Sequence, residues 1–135
     1  MFGMMRNPTE SYAKVGVDAA VETADPHRLI LMLFDGAVAA ISIAKFEMEA
    51  GEIAKKGASI SKAIDIISNG LLASLDINAG GELAERLAAL YEYMTQRLLF
   101  ANLKNNTAAL DEVLELLNSL RSAWEQISPG QQVAA

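Results

Sequence analysis

The sequence predicts an all-α protein: an antiparallel up-down-up-down four-helix bundle with a partly helical N-terminal arm. Three observations carry that expectation. Apolar residues recur at spacings of three and four through four stretches of about 20 residues, the period of a buried helix face. Short clusters of Gly, Asn, Asp and Pro separate the stretches, and helices joined by short loops pack as antiparallel neighbours. No run alternates apolar and polar residues as a half-buried strand does.

Residues 1–24 make the arm. Pro8 and Gly16 interrupt its weak periodicity, so helical turns are expected only around residues 11–20. Asp25-Pro26 then reads as a helix start, a carboxylate at the N-cap followed by a proline whose missing N–H costs nothing in the first turn. The first helix runs to about residue 50, where Gly51 supplies the break. Ile30, Leu33, Ala37, Ala40 and Ala44 form one stripe on it, and Phe34, Val38, Ile41 and Met48 a second. His27, in its first turn, is expected in solvent.

The second helix shows in Ile60, Ile64, Ile67, Leu71 and Leu75. Residues 76–81, rich in Asp, Asn and Gly, read as a loop. The third helix follows over about residues 82–103, with Asn105 or Asn106 as its stop and the next cap. The fourth, about residues 107–127, carries Leu110, Val113, Leu117, Leu120, Trp124 and Ile127 on one stripe. Asp111 and Glu112 are expected in its first turn, where the helix dipole favours anions. Pro129-Gly130 ends it. The bundle therefore spans residues 25–128, and residues 129–135 form a flexible tail.

Composition narrows the function. The 135 residues suit one domain able to bury its own core. An apolar content of 52 % excludes a disordered chain. No cysteine is present, so disulfides and thiolate chemistry are excluded. The net charge of −6, with basic residues scattered, argues against nucleic acid. The most apolar run, residues 29–44, is shorter than the roughly 20 residues of a membrane span and contains Asp35. It reads as a core helix, with no membrane insertion.

Chemistry-bearing patterns are missing. His27 is the single histidine, too few for a di-iron or zinc site in a bundle. Gly80-Gly81 follows no strand and precedes no Gly-Lys-Ser/Thr, so it is no phosphate loop. No serine has a histidine partner in a recognisable arrangement. The expectation is a protein that is not an enzyme and holds no cofactor.

The third helix has more apolar surface than one bundle face uses. Tyr91, Met94, Leu98 and Ala101 form one stripe. Leu90, Tyr93, Arg97 and Phe100 form another, rotated by about 100°. On the first helix, only Asp35 is charged between residues 29 and 41. Surplus of this kind suits a groove that receives apolar helices from a partner. The sequence does not say which stripe faces the core.

The residues also carry a resemblance. N-P-T-E-S-Y (residues 7–12), V-E-T-A-D-P-H-R-L-I-L-M-L-F-D-G-A (21–37), K-A-I-D-I-I (62–67), S-L-D (74–76), G-G-E-L-A-E-R-L-A-A-L-Y-E-Y-M-T-Q-R-L-L-F-A-N (80–102) and Ala123-Trp124 occur in this order. Together they resemble the FliS family of flagellar secretion chaperones over most of the chain. Phe34 stands where that family commonly has tyrosine, and Thr9 where an aromatic is frequent.

The resemblance implies a helical bundle in the cytoplasm that binds the C-terminal segment of flagellin. Binding would block premature polymerisation and present the cargo to the flagellar export apparatus. The candidate partner-binding residues are Tyr12, Leu29, Met32, Phe34, Leu90, Tyr93, Met94, Arg97, Phe100 and Asn102. Tyr93 and Arg97 combine apolar bulk with a polar tip, and Asn102 offers a hydrogen bond to a cargo backbone. Without cargo, Phe2, Met4, Met5 or Tyr12 of the arm is expected over the groove, and a weak homodimer is allowed. The competing reading is a structural helical bundle that uses the second stripe for self-association.

Overall fold

A computed structural model describes residues 25–127, and within them every regular element is helical, with no strand. The expected arm (residues 1–24, with Tyr12) and tail (residues 129–135) lie outside the described residues.

Helix α1 spans Pro26–Glu49. Its start is the one the sequence announces: the Asp25 carboxylate accepts from the Arg28 N–H at 2.8 Å, and Pro26 occupies the first turn. It ends in a Schellman turn. Glu52 N–H bonds to the Glu47 carbonyl and Gly51 N–H to that of Met48, with Gly51 at φ 77°.

Helix α2 spans Ile53–Asp65 and continues into a π-helical segment, Ile66–Leu72. The wider π turn accompanies a close approach. A Cβ on Gly70 would lie 2.9 Å from a Leu33 methyl of α1. The Ser74 hydroxyl donates to the Gly70 carbonyl just beyond.

Helix α3 spans Ile77–Lys104 but is broken near its start. The expected loop at residues 76–81 is instead a capped helical turn and a kink. Asp76 accepts from the Ala79 N–H at 3.0 Å, and Gly81 at φ 58°, ψ −133° then reverses the backbone before the long helix resumes. Two consecutive asparagines divide the next junction. Asn105 stops α3 in the left-handed region, φ 53°, and the Asn106 side chain caps α4 by accepting from the Ala109 N–H at 2.8 Å. Helix α4 spans Thr107–Gln126.

The core collects one face of each helix. Phe34, Ile41 and Ala44 of α1, Ile60 of α2, Leu71 of the π-helical segment, Tyr91, Met94 and Leu98 of α3, and Leu110, Val113 and Leu117 of α4 are buried in a single cluster. The two stripes expected on α1 merge around Ile41, while Leu33 and Val38 pack at the edge. By length and composition α1 could cross a bilayer, but here its buried face is part of this common core.

Helices α1 and α4 are tied along their length. The His27 ring stacks on Trp124 with centroids 5.2 Å apart, and the Trp124 indole N–H donates to the His27 carbonyl. Asp35 accepts from Arg121, and Lys45 meets Asp111 at 2.8 Å. Two expectations are corrected here. His27 is buried rather than solvated, because Trp124 covers it. Asp111 and Glu112 lie beyond the first turn of α4, and their partners are side chains of neighbouring helices, Lys45 for Asp111 and Tyr93 and Arg97 for Glu112, and not the helix terminus.

Candidate functional site: an apolar cleft and the outer stripe of α3

The two stripes of α3 separate as two environments. Tyr91, Met94, Leu98 and Ala101 are buried in the bundle. On the other stripe Tyr93 is 41 % and Phe100 37 % exposed, while Leu90 packs half-buried against the core. Leu99 and Leu103 add further exposed apolar surface to the same helix. Leaving several large side chains uncovered has no benefit for folding, since each would stabilise by about 1.5–3 kcal/mol if buried.

This outer stripe is held from α4. The Glu112 carboxylate accepts from the Tyr93 hydroxyl with one oxygen and from Arg97 Nε with the other, the latter at 2.8 Å. The Arg97 guanidinium in turn lies over the Phe100 ring, 4.7 Å from its centroid, a cation–π contact. The Tyr93 hydrogen bond, with that of Arg97, holds the Glu112 carboxyl below its ordinary pKa. The same bond holds the Tyr93 phenol above its own.

A second feature lies where α1 begins and α4 ends. An apolar cleft of about 190 Å³ is bounded by Ile30, Phe34, Leu83, Leu87, Tyr91 and Trp124, among others. Burial pushes the Tyr91 phenol up to about 12. The sequence signals this cleft only indirectly. Leu83, Leu87 and Trp124 sit on apolar stripes, and periodicity cannot tell a side chain that lines an open cleft from one that fills a closed core.

The ten candidates distribute unevenly. Tyr93, Arg97 and Phe100 come together on the outer stripe. Phe34, only 2 % exposed, belongs to the core and to the cleft floor. Met94, at 0 %, is wholly core, so as described it presents no surface to a partner; its stripe is the one that packs against the other helices. Leu29 and Met32 are half-buried on α1 and do not line the cleft. Asn102 is half-buried near the end of α3, where its backbone carbonyl accepts from Lys56. Tyr12 lies outside the described residues.

Lys56 is the residue that sequence reading passes over. It is 4 % exposed, and its ammonium donates to the Asn102 carbonyl at 3.0 Å and to Asn105 Oδ1 at 2.8 Å. Among the described residues, no group of three His, Asp or Glu side chains is placed to hold a metal ion.

These features define an all-α bundle whose conspicuous surfaces are apolar: a cleft at one end and a stripe along one helix. The chain belongs to the FliS family. The family described as Flagellar protein FliS matches residues 8–131. The chain is 52 % identical over 120 residues to the flagellar secretion chaperone FliS of Salmonella typhimurium, covering 89 % of each chain. It is 46 % identical over 119 residues to the flagellar secretion chaperone FliSB of Pseudomonas aeruginosa, covering 88 % of this chain and 94 % of that one. With FliS of Bacillus subtilis it shares 34 % over 122 residues, 90 % of this chain and 86 % of the other.

Proposed function

We propose that this protein is a non-enzymatic export chaperone of the cytoplasm. It binds the disordered C-terminal segment of flagellin one to one, keeps it from polymerising prematurely, and delivers it to the flagellar export apparatus. The observation that carries the reading is the outer stripe of α3, where exposed Tyr93 and Phe100 flank a half-buried Arg97, surface that the bundle's own core does not use. Family membership supports it, since the curated relatives are named flagellar secretion chaperones.

The reading includes an antiparallel up-down-up-down arrangement of the helices. The order of contacts supports this. Along α1 from His27 through Asp35 to Lys45, the partners on α4 descend from Trp124 through Arg121 to Asp111. Such a bundle places long grooves between neighbouring helices, a geometry suited to amphipathic cargo helices.

Calorimetric titration tests the function. The probe is a peptide of about 40 residues from the C-terminus of the cognate flagellin, roughly three helices of average length. Saturable one-to-one binding is expected, with a large negative heat-capacity change because a disordered segment folds as it buries apolar surface. Absence of binding, together with a stable dimer in light scattering, would assign the stripe to self-association instead.

A further inference from the structure

We infer that Glu112 is a positioning residue for cargo capture: it acts through Tyr93 and Arg97, setting the outer stripe of α3 in its binding shape before cargo arrives. The inference rests on the reading of that stripe as the cargo surface.

The geometry is specific. Tyr93 and Arg97 stand four residues apart, one turn along α3. A single carboxylate from α4 reaches both, one oxygen to each. Arg97 is thereby held with its guanidinium plane near Phe100. Tyr93, Arg97 and Phe100 become one amphipathic platform rather than three independently rotating side chains.

The physical effect is on ordering. A long arginine on a helix surface samples many rotamers, and a partner that binds it must immobilise it. Glu112 restricts Tyr93 and Arg97 in the free protein, so less ordering remains to be done on binding. It also balances the Arg97 charge, which suits the apolar surroundings of a docked helix. The group is partly exposed, with side chains of Arg97 and Glu112 at 31 % and 37 %. Its contribution to folding is therefore small, and its larger effect is expected on binding.

A double-mutant cycle on the full chain, titrated with the same flagellin peptide, tests this. Glu112→Gln is expected to weaken binding roughly tenfold, the effect of two side chains left to be ordered by the partner. Placed in a Tyr93→Phe/Arg97→Gln background, the same change should alter affinity very little. In the single variant the Tyr93 phenol, followed by its ultraviolet titration, should return toward its ordinary value. Glu112→Ala repeats the comparison if Glu112→Gln melts early. If wild type binds and both Glu112 variants bind equally well, the positioning role is overturned while the chaperone reading stands. An equal loss in both backgrounds also overturns it, because Glu112 would then act on cargo directly. If wild type itself fails to bind, the chaperone reading fails, and the positioning role with it.

Discussion

Lys56 of α2 caps α3 through Asn102: its ammonium donates to the Asn102 carbonyl at 3.0 Å, close to the left-handed turn at Asn105. A cation at this end both fills an unpaired carbonyl and meets the negative end of the helix dipole. Lys56→Met keeps the buried stem and removes the donor. Urea unfolding should show a loss of about 1.5–3 kcal/mol, the range for a hydrogen bond to a charged group.

The stripes of α3 should respond oppositely to truncation. Leu98→Ala opens a cavity in the closed core and should cost about 2–5 kcal/mol. Phe100→Ala removes an exposed ring and should change stability by less than about 1 kcal/mol. The same pair in the peptide titration should invert: Phe100→Ala weakens binding without lowering the melting temperature.

Two glycines test packing and backbone separately. An added methyl at Gly81 meets nothing within 4 Å, yet its φ of 58° with ψ −133° disfavours any other residue. Gly81→Ala should cost about 1–3 kcal/mol through backbone strain alone. Gly70→Ala instead forces Leu33 to move, so its penalty should shrink in a Leu33→Ala background.

Alkaline pH should unfold the protein partly through Tyr91. Burial raises its phenol from 10.0 to about 12 in the fold. The unfolded chain releases that proton first, so the contribution to stability is complete below pH 10 and is lost as pH rises through 12. Tyr91→Phe should flatten the stability profile in this window.

At the acid end the sign reverses. The Tyr93 hydrogen bond, then that of Arg97, holds the Glu112 pKa down in the fold. Its contribution is present above the ordinary carboxylate value and is lost as pH falls through the lowered one. Glu112→Gln should remove this small part of the acid transition, which chemical denaturation from about pH 5 downward would reveal, starting just above the ordinary carboxylate range.

Much of the fold is legible in local chemistry. Asp25-Pro26 and Asn105-Asn106 mark helix ends because capping is a property of neighbouring residues. The inward stripe of α4 reads directly from its spacing. What escapes is partnership between distant segments. His27 is polar and stands in a first turn, so nothing nearby announces that Trp124 will bury it. Lys56 looks like a solvated lysine until the end of α3 is placed over it. On α3 both stripes are visible, but periodicity reports faces and not neighbours, so Met94 stays among the cargo candidates beside Tyr93, whose polar tip alone favours the surface. The π-helical segment is also hidden, since it goes with the close approach of Gly70 to Leu33, while the kink at Gly81 shows in the sequence only as a glycine-rich break between helices.

The pairing of α1 with α4 has a consequence for the chain as it is made. The contact between His27 and Trp124 spans 97 residues of sequence. At synthesis rates of about 5–20 residues per second, α1 waits roughly 5–20 seconds for the helix that covers part of its apolar surface. During that interval the most apolar of the described segments, long enough to be taken for a membrane span, has among the described helices only α2 and then α3 to shelter it. The chain thus begins life with part of its apolar core uncovered, and the early packing of α2 on α1 sets how much of that surface stays open until α4 arrives.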